Sequence, residues 1–159
     1  MKLSPTLQAA SEWMALDMIG NSTPTRLSHT DSLGRDIRPR FSSFGYSANS
    51  TIRENLNAGH TTGLQSVQAW MDSPAHRENN LAPEATVAGL ALVVRPKTTF
   101  TFYWALVFGS VDDSLSAASV TPPPPVVSVS VAAPVAITGS VPSLGVALLQ
   151  TAGTGTLTA

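Results

Sequence analysis

The chain of 159 residues contains no cysteine. That excludes a disulfide scaffold, a thiolate nucleophile and a cysteine metal centre, and it is compatible with either an oxidising or a reducing compartment. No apolar run reaches the roughly 18 residues that a membrane-spanning helix needs. The net charge is only −1, so electrostatics gives no reason to expect a nucleic acid or an anionic membrane as partner. Behind Lys2, the start Met1-Lys2-Leu3-Ser4-Pro5 has no apolar signal-peptide core.

The largest absence is local. From Ser114 to Ala159 there is no charge, no aromatic ring and no histidine; all 19 charged and all ten aromatic side chains lie at or before Asp113. The remainder is mostly Val, Ala, Ser, Thr, Pro and Gly, and it includes Thr121-Pro122-Pro123-Pro124-Pro125. Four successive prolines favour an extended polyproline II spacer, and Pro134 and Pro142 interrupt any helix or central strand. Residues 114–159 are therefore expected to be a low-complexity linker or stalk, largely disordered. Valine-rich pieces such as Val126–Ala132 retain a capacity to pair as strands. One domain is expected over residues 3–113, long enough for a real core.

Within that domain, Leu7, Ala10, Met14 and Met18 recur at spacings of three and four with Trp13 beside them, which predicts a helix over 5–19. Asn21–Pro24 is turn chemistry, followed by a polar loop carrying His29 and Asp31. A short helix is predicted over 37–44, capped by Gly45. A strand is predicted towards Leu56, and a helix over 64–71 with Leu64, Val67, Trp70 and Met71 on its buried side. Ser73-Pro74 then starts a very short helix through Asn80, with proline at the first helical position. Residues 86–94 and 99–108 read as strands joined through Arg95–Thr98, the second dense enough in aromatics to lie centrally. Helices first and a hairpin last predict α+β, with a mainly antiparallel sheet.

Two positions carry chemistry. In the predicted strand, Ile52, Glu54 and Leu56 share one face, so Glu54 is a carboxylate on the core side. Such a group needs a metal, an imidazole or backbone N–H groups as partner, unless the strand frays and it reaches water. His76 falls in the first turn of its short helix. Free N–H groups and the positive end of the dipole disfavour imidazolium there and keep the ring neutral. His60 sits on the Gly59–Gly63 loop, solvated or at a rim. Arg77 is expected to make only surface pairs with Glu78 or Asp72.

The order of motifs is specific. Ser28-His29-Thr30-Asp31, Arg40 followed by Gly45-Tyr46, Glu54-Asn55-Leu56, Gly59, Val67, Trp70-Met71, Ser73-Pro74-Ala75-His76-Arg77, Trp104 and Phe108-Gly109 together resemble a bacterial CAP domain. That superfamily includes cysteine-rich secretory proteins, antigen 5 and plant pathogenesis-related proteins, and the resemblance covers about Leu3–Asp113. It implies a three-layer α-β-α sandwich with a cleft in which two histidines and acids converge, holding zinc or another divalent cation in several members. His29 matches the first histidine, Glu54 the acid and His76 the second histidine. The second acid of the animal and plant members has no clear match; Asp72 and Asp31 are the candidates, with His60 a further cleft residue. The family helix that ordinarily precedes the Leu3–Leu7 region has no counterpart, so either the start lies upstream or this member is shortened.

Two neutral imidazoles and one carboxylate suit zinc and leave a position open for water or ligand. The alternative is a His–Glu–His cluster that ties loops together without metal. Three functions follow from the resemblance. One is a secreted or cell-surface binding module for a small ligand or an extracellular partner. The second is a zinc-dependent hydrolase with Glu54 or Asp72 as base. The third is a tethered domain with a vestigial cleft. No activated serine turn and no His-Glu-x-x-His helix occurs, so the binding module is preferred.

Overall fold

The computed structural model describes residues 1–21, 27–47 and 49–114. The turn expected over Asn21–Pro24, beyond its first residue, and the stalk expected after Ser114 lie outside these residues. The elements are β1 (Lys2–Leu3), α1 (Pro5–Asn21), α2 (Ile37–Ser43), β2 (Ile52–Ala58), α3 (Gly63–Asp72), α4 (Pro74–Asn80), β3 (Val87–Val94) and β4 (Phe102–Gly109). The sheet runs β1-β3-β4-β2, antiparallel except for the parallel pair β1 and β3. The aromatic-rich strand is central, as its composition requires. Helices α1 and α2 pack on one face of the sheet and α3 and α4 on the other, an α+β sandwich.

Helix α1 is the hub. Leu7, Ala10, Met14 and Met18 are fully buried and Trp13 nearly so. A large apolar side chain buried this completely contributes about 1.5–3 kcal/mol. The helix rests directly on β3: a Cβ on Gly89 would lie 2.3 Å from the Leu7 carbonyl carbon. No residue other than glycine fits that contact without movement. The strand residues beneath α1 and α2 are Val87, Ala91, Ala105, Val107 and Leu56, all buried.

Several boundaries differ from expectation for identifiable reasons. Strand β4 begins at Phe102 because Thr101 takes φ +65°, a left-handed conformation that a β-branched residue in a strand cannot hold. The β3–β4 connection is accordingly longer than Arg95–Thr98 and closes with the Thr101 carbonyl accepting from Arg95 N–H at 2.7 Å. In α3 the buried residues are Ser66 and Trp70, while Leu64 and Val67 are exposed. The Trp70 indole donates to the Leu56 carbonyl at 3.1 Å, and this largest side chain sets the rotation of the helix. A capping box between Thr62 and Gln65 fixes where α3 starts. Ser73 stands at the N-cap of α4, but its side chain makes no capping bond.

The two ends of the domain meet. Lys2 Nζ pairs with Asp112 at 2.5 Å, and Thr6 Oγ1 donates to Asp113. Lys2 holds the Asp112 carboxyl well below the usual carboxylate range. The Tyr46 hydroxyl donates to the Val111 carbonyl and accepts from its N–H, each at 2.9 Å.

Candidate functional site

Glu54 sits where the strand phase puts it, on the inward side of β2 and 3% exposed. Its partners are an imidazole and a guanidinium. One oxygen meets His29 Nδ1 at 2.8 Å, and the other accepts from Arg40 Nη2. Arg40 is completely buried, and its Nη1 donates to the His29 carbonyl at 2.8 Å. Arg40 thus holds both the acid and the backbone of the loop residue that the acid orients. With the carboxylate on Nδ1, the neutral tautomer of His29 carries its proton there and turns the Nε2 lone pair outward. The His29 side chain is 47% accessible.

His76 approaches from the opposite layer. The Asn55 amide donates to its carbonyl at 3.0 Å and to Asn80 Oδ1 at 2.9 Å, and the Asn79 amide donates to Asn55 Oδ1 at 2.8 Å. These bonds moor α4 across β2. Burial first, and then the neighbouring His29, lower the pKa of His76 below its ordinary 6.5. Neutrality is the state expected from the sequence, but its causes are burial and a second imidazole.

The other candidates are engaged elsewhere. Asp31 is buried and accepts from the Leu33 and Arg35 N–H groups and from the Arg35 guanidinium, closing its own loop. His60 Nδ1 meets Asn57 Oδ1 at 2.6 Å, and its carbonyl accepts from the Trp104 indole. Asp72 is exposed and accepts from Gln68 at 2.9 Å. Arg77 donates to the Met71 carbonyl rather than pairing with Asp72 or Glu78; Glu78 lies 3.4 Å from Arg53.

Among the described residues no group of three or more His, Asp or Glu side chains converges to hold a metal ion. Glu54 has both oxygens committed, so the three-ligand zinc set is not assembled in this arrangement. What faces outward is a pair of imidazoles, with Glu54 behind the first. Arg40 is the partner that strand phase does not reveal. Its only local signal is its place one turn after Ile37 and beside Phe41 on an otherwise apolar stripe.

The model of the cysteine-rich secretory protein (CAP) family matches residues 1–108. The chain belongs to the CAP family. It does so without a single cysteine, so the CAP fold here carries no disulfide. Among solved structures, an outer surface protein from Borrelia burgdorferi is similar at TM-score 0.59 and 21% identity, over 70% of this chain and 78% of that one. At that identity the likeness concerns the fold of the CAP domain. No curated protein gave a match.

Proposed function

We propose that this CAP domain is a non-catalytic binding module, working outside the cell or at its surface, whose ligand lies against the imidazoles of His29 and His76. The observation that supports this is the buried Arg40–Glu54–His29 chain. It commits the buried acid of the cleft to holding one ring in a fixed direction. A general base needs a free lone pair within reach of the proton it removes. Both Glu54 oxygens are already engaged, by His29 and Arg40, and the residue is 3% exposed, so it is not presented to a substrate; Asp72, the other acid weighed for that role, is exposed and bonded to Gln68. A hydrolase reading therefore lacks its base. Should the ligand be a divalent cation, the two imidazoles contact it and Glu54 orients His29 from behind, an arrangement common at histidine metal sites. The location is supported by family membership and by the solved neighbour, itself an outer surface protein.

Calorimetric titration of the full chain with zinc chloride tests this. The expected result is uptake near one equivalent, lost in the His29→Ala, His76→Ala double variant and weakened about 10- to 100-fold in Glu54→Gln. Unchanged uptake in the double variant overturns the imidazole site. Turnover of peptides or esters by the parent chain, abolished in Glu54→Gln, would restore the hydrolase reading.

A further inference from the structure

Beside His29 a cavity of about 250 Å³ opens between the start of α2 and the start of β2, lined by His29, Asp36, Ile37, Arg38 and Ile52. Of these residues, His29 alone belongs to the site described above. The cavity is smaller than the roughly 300–1,000 Å³ of pockets that enclose a whole drug-sized ligand, so it suits one side chain or a very small molecule. Ile37 and Ile52 supply the apolar surface, and both pack against the core cluster of Trp13, Phe41 and Phe44. That surface is therefore rigidly backed.

The polar groups at the mouth have a definite sense. Asp36 occupies the N-cap position of α2, where an aspartate ordinarily bonds the first free N–H groups, yet its side chain makes no capping bond. It accepts instead from the Thr30 hydroxyl through Oδ1 at 2.6 Å, and Asp36 is one of the residues that line the cavity. His29, whose Nδ1 is taken by Glu54, leaves Nε2 as its ring atom for a ligand. A carboxylate and an imidazole acceptor on one cavity call for a donor with positive charge. Arg38, which also lines the cavity, has a guanidinium complementary to a carbonyl oxygen, as its bond from Nη1 to the Ser50 carbonyl at 3.2 Å shows.

We infer that this cavity binds a primary ammonium carrying an aliphatic side chain, the chemistry shared by a peptide N-terminus and a free aliphatic amino acid. The ammonium donates to Asp36 and His29, and the side chain covers Ile37 and Ile52. The carbonyl that follows meets Arg38. This deepens the reading above, because it rests on His29 being held outward by Glu54 and names the ligand chemistry next to it.

The test is a titration of the full chain with leucinamide, followed by the amide shifts of Ile37, Arg38 and Ile52 in ¹H–¹⁵N spectra. Saturable shifts at these residues are expected, with affinity at least tenfold lower in Asp36→Asn, an isosteric change that keeps the Thr30 bond. N-acetyl-leucinamide, which lacks the ammonium, and isovalerate, which is an anion, should each bind at least tenfold more weakly. Equal binding of the acetylated probe, tighter binding of isovalerate, or no loss in Asp36→Asn overturns the inference. Comparing Leu-Gly-Gly with free leucine separates the two sources. Zinc titration is an independent readout. Loss of zinc uptake with leucinamide shifts intact defeats only the imidazole-pair reading, and the converse defeats only this one.

Discussion

The two faces of the one sheet are built on different principles. Beneath α1 the contact is apolar and so close that helix backbone meets strand backbone at Gly89. Beneath α3 and α4, β2 presents Arg53, Asn55 and Asn57 beside Trp104 and Phe108 of β4, and the helices are also tied down by hydrogen bonds to Arg53, to Asn55 and to the Leu56 carbonyl. Helix α4 has no buried residue at all. A free helix of seven residues would not persist in water, so its order comes from those polar ties. Further along the same face, Leu90, Leu92 and Val94 of β3 stay 42–50% exposed. The first face rests on close apolar packing, whereas the second combines buried Trp70, Trp104 and Phe108 with directional bonds that place α4, and His76 with it.

The sharpest break in this contrast is expected at its seam, where the first face has a charged pair at the β2 edge. Arg40→Ala leaves Glu54 buried without its cation, which costs about 3–5 kcal/mol and releases His29; chemical denaturation and the His29 ring signals read both effects. Next, Gly89→Ala forces α1 off β3. Overpacking of this kind costs about 1–3 kcal/mol, and with backbone as the obstacle the upper end is expected in the denaturation midpoint. The smallest effect belongs to the other face. Leu92→Ser, although it removes a leucine from the middle of an apolar run, should change stability by no more than about 0.5 kcal/mol. A loss of about 2 kcal/mol or more, on the scale of a buried leucine, would mean that this face is covered and that the contrast is misdrawn.

Much of the first face was legible in the sequence, because apolar spacing reports burial directly. Leu7, Ala10, Met14 and Met18 mark the inner stripe of α1, and the density of Val, Phe and Trp marks β3 and β4. The need of Glu54 for a partner followed from strand phase alone. The partner's identity did not. Arg38 and Arg40 are close neighbours in the same short helix, and only the fold buries one and leaves the other at the surface. The second face misled for a related reason. Of the expected inner stripe of Leu64, Val67, Trp70 and Met71, Trp70 is buried, but its indole N–H, bonded to the Leu56 carbonyl, goes with Ser66 inward and leaves Leu64 and Val67 exposed. Polar mooring leaves little trace in a pattern of apolar residues. Asn55, Asn79 and Asn80 look like loop chemistry until they are seen to bond one another.

The clasp between Lys2 and Asp112 has a consequence for how the domain can be cut and rejoined. Its first strand and the turn after its last strand lie within one ion pair of each other, stitched also by Lys2 N–H to the Thr86 carbonyl and Thr86 N–H to the Gly109 carbonyl. Topologically the domain is close to a ring with a gap. A short glycine-serine bridge across that gap, with new ends opened in the exposed stretch between β3 and β4, would preserve every layer of the sandwich. Circular permutation is thus a natural operation on this fold, and it would leave the segments carrying His29 and His76 uncut.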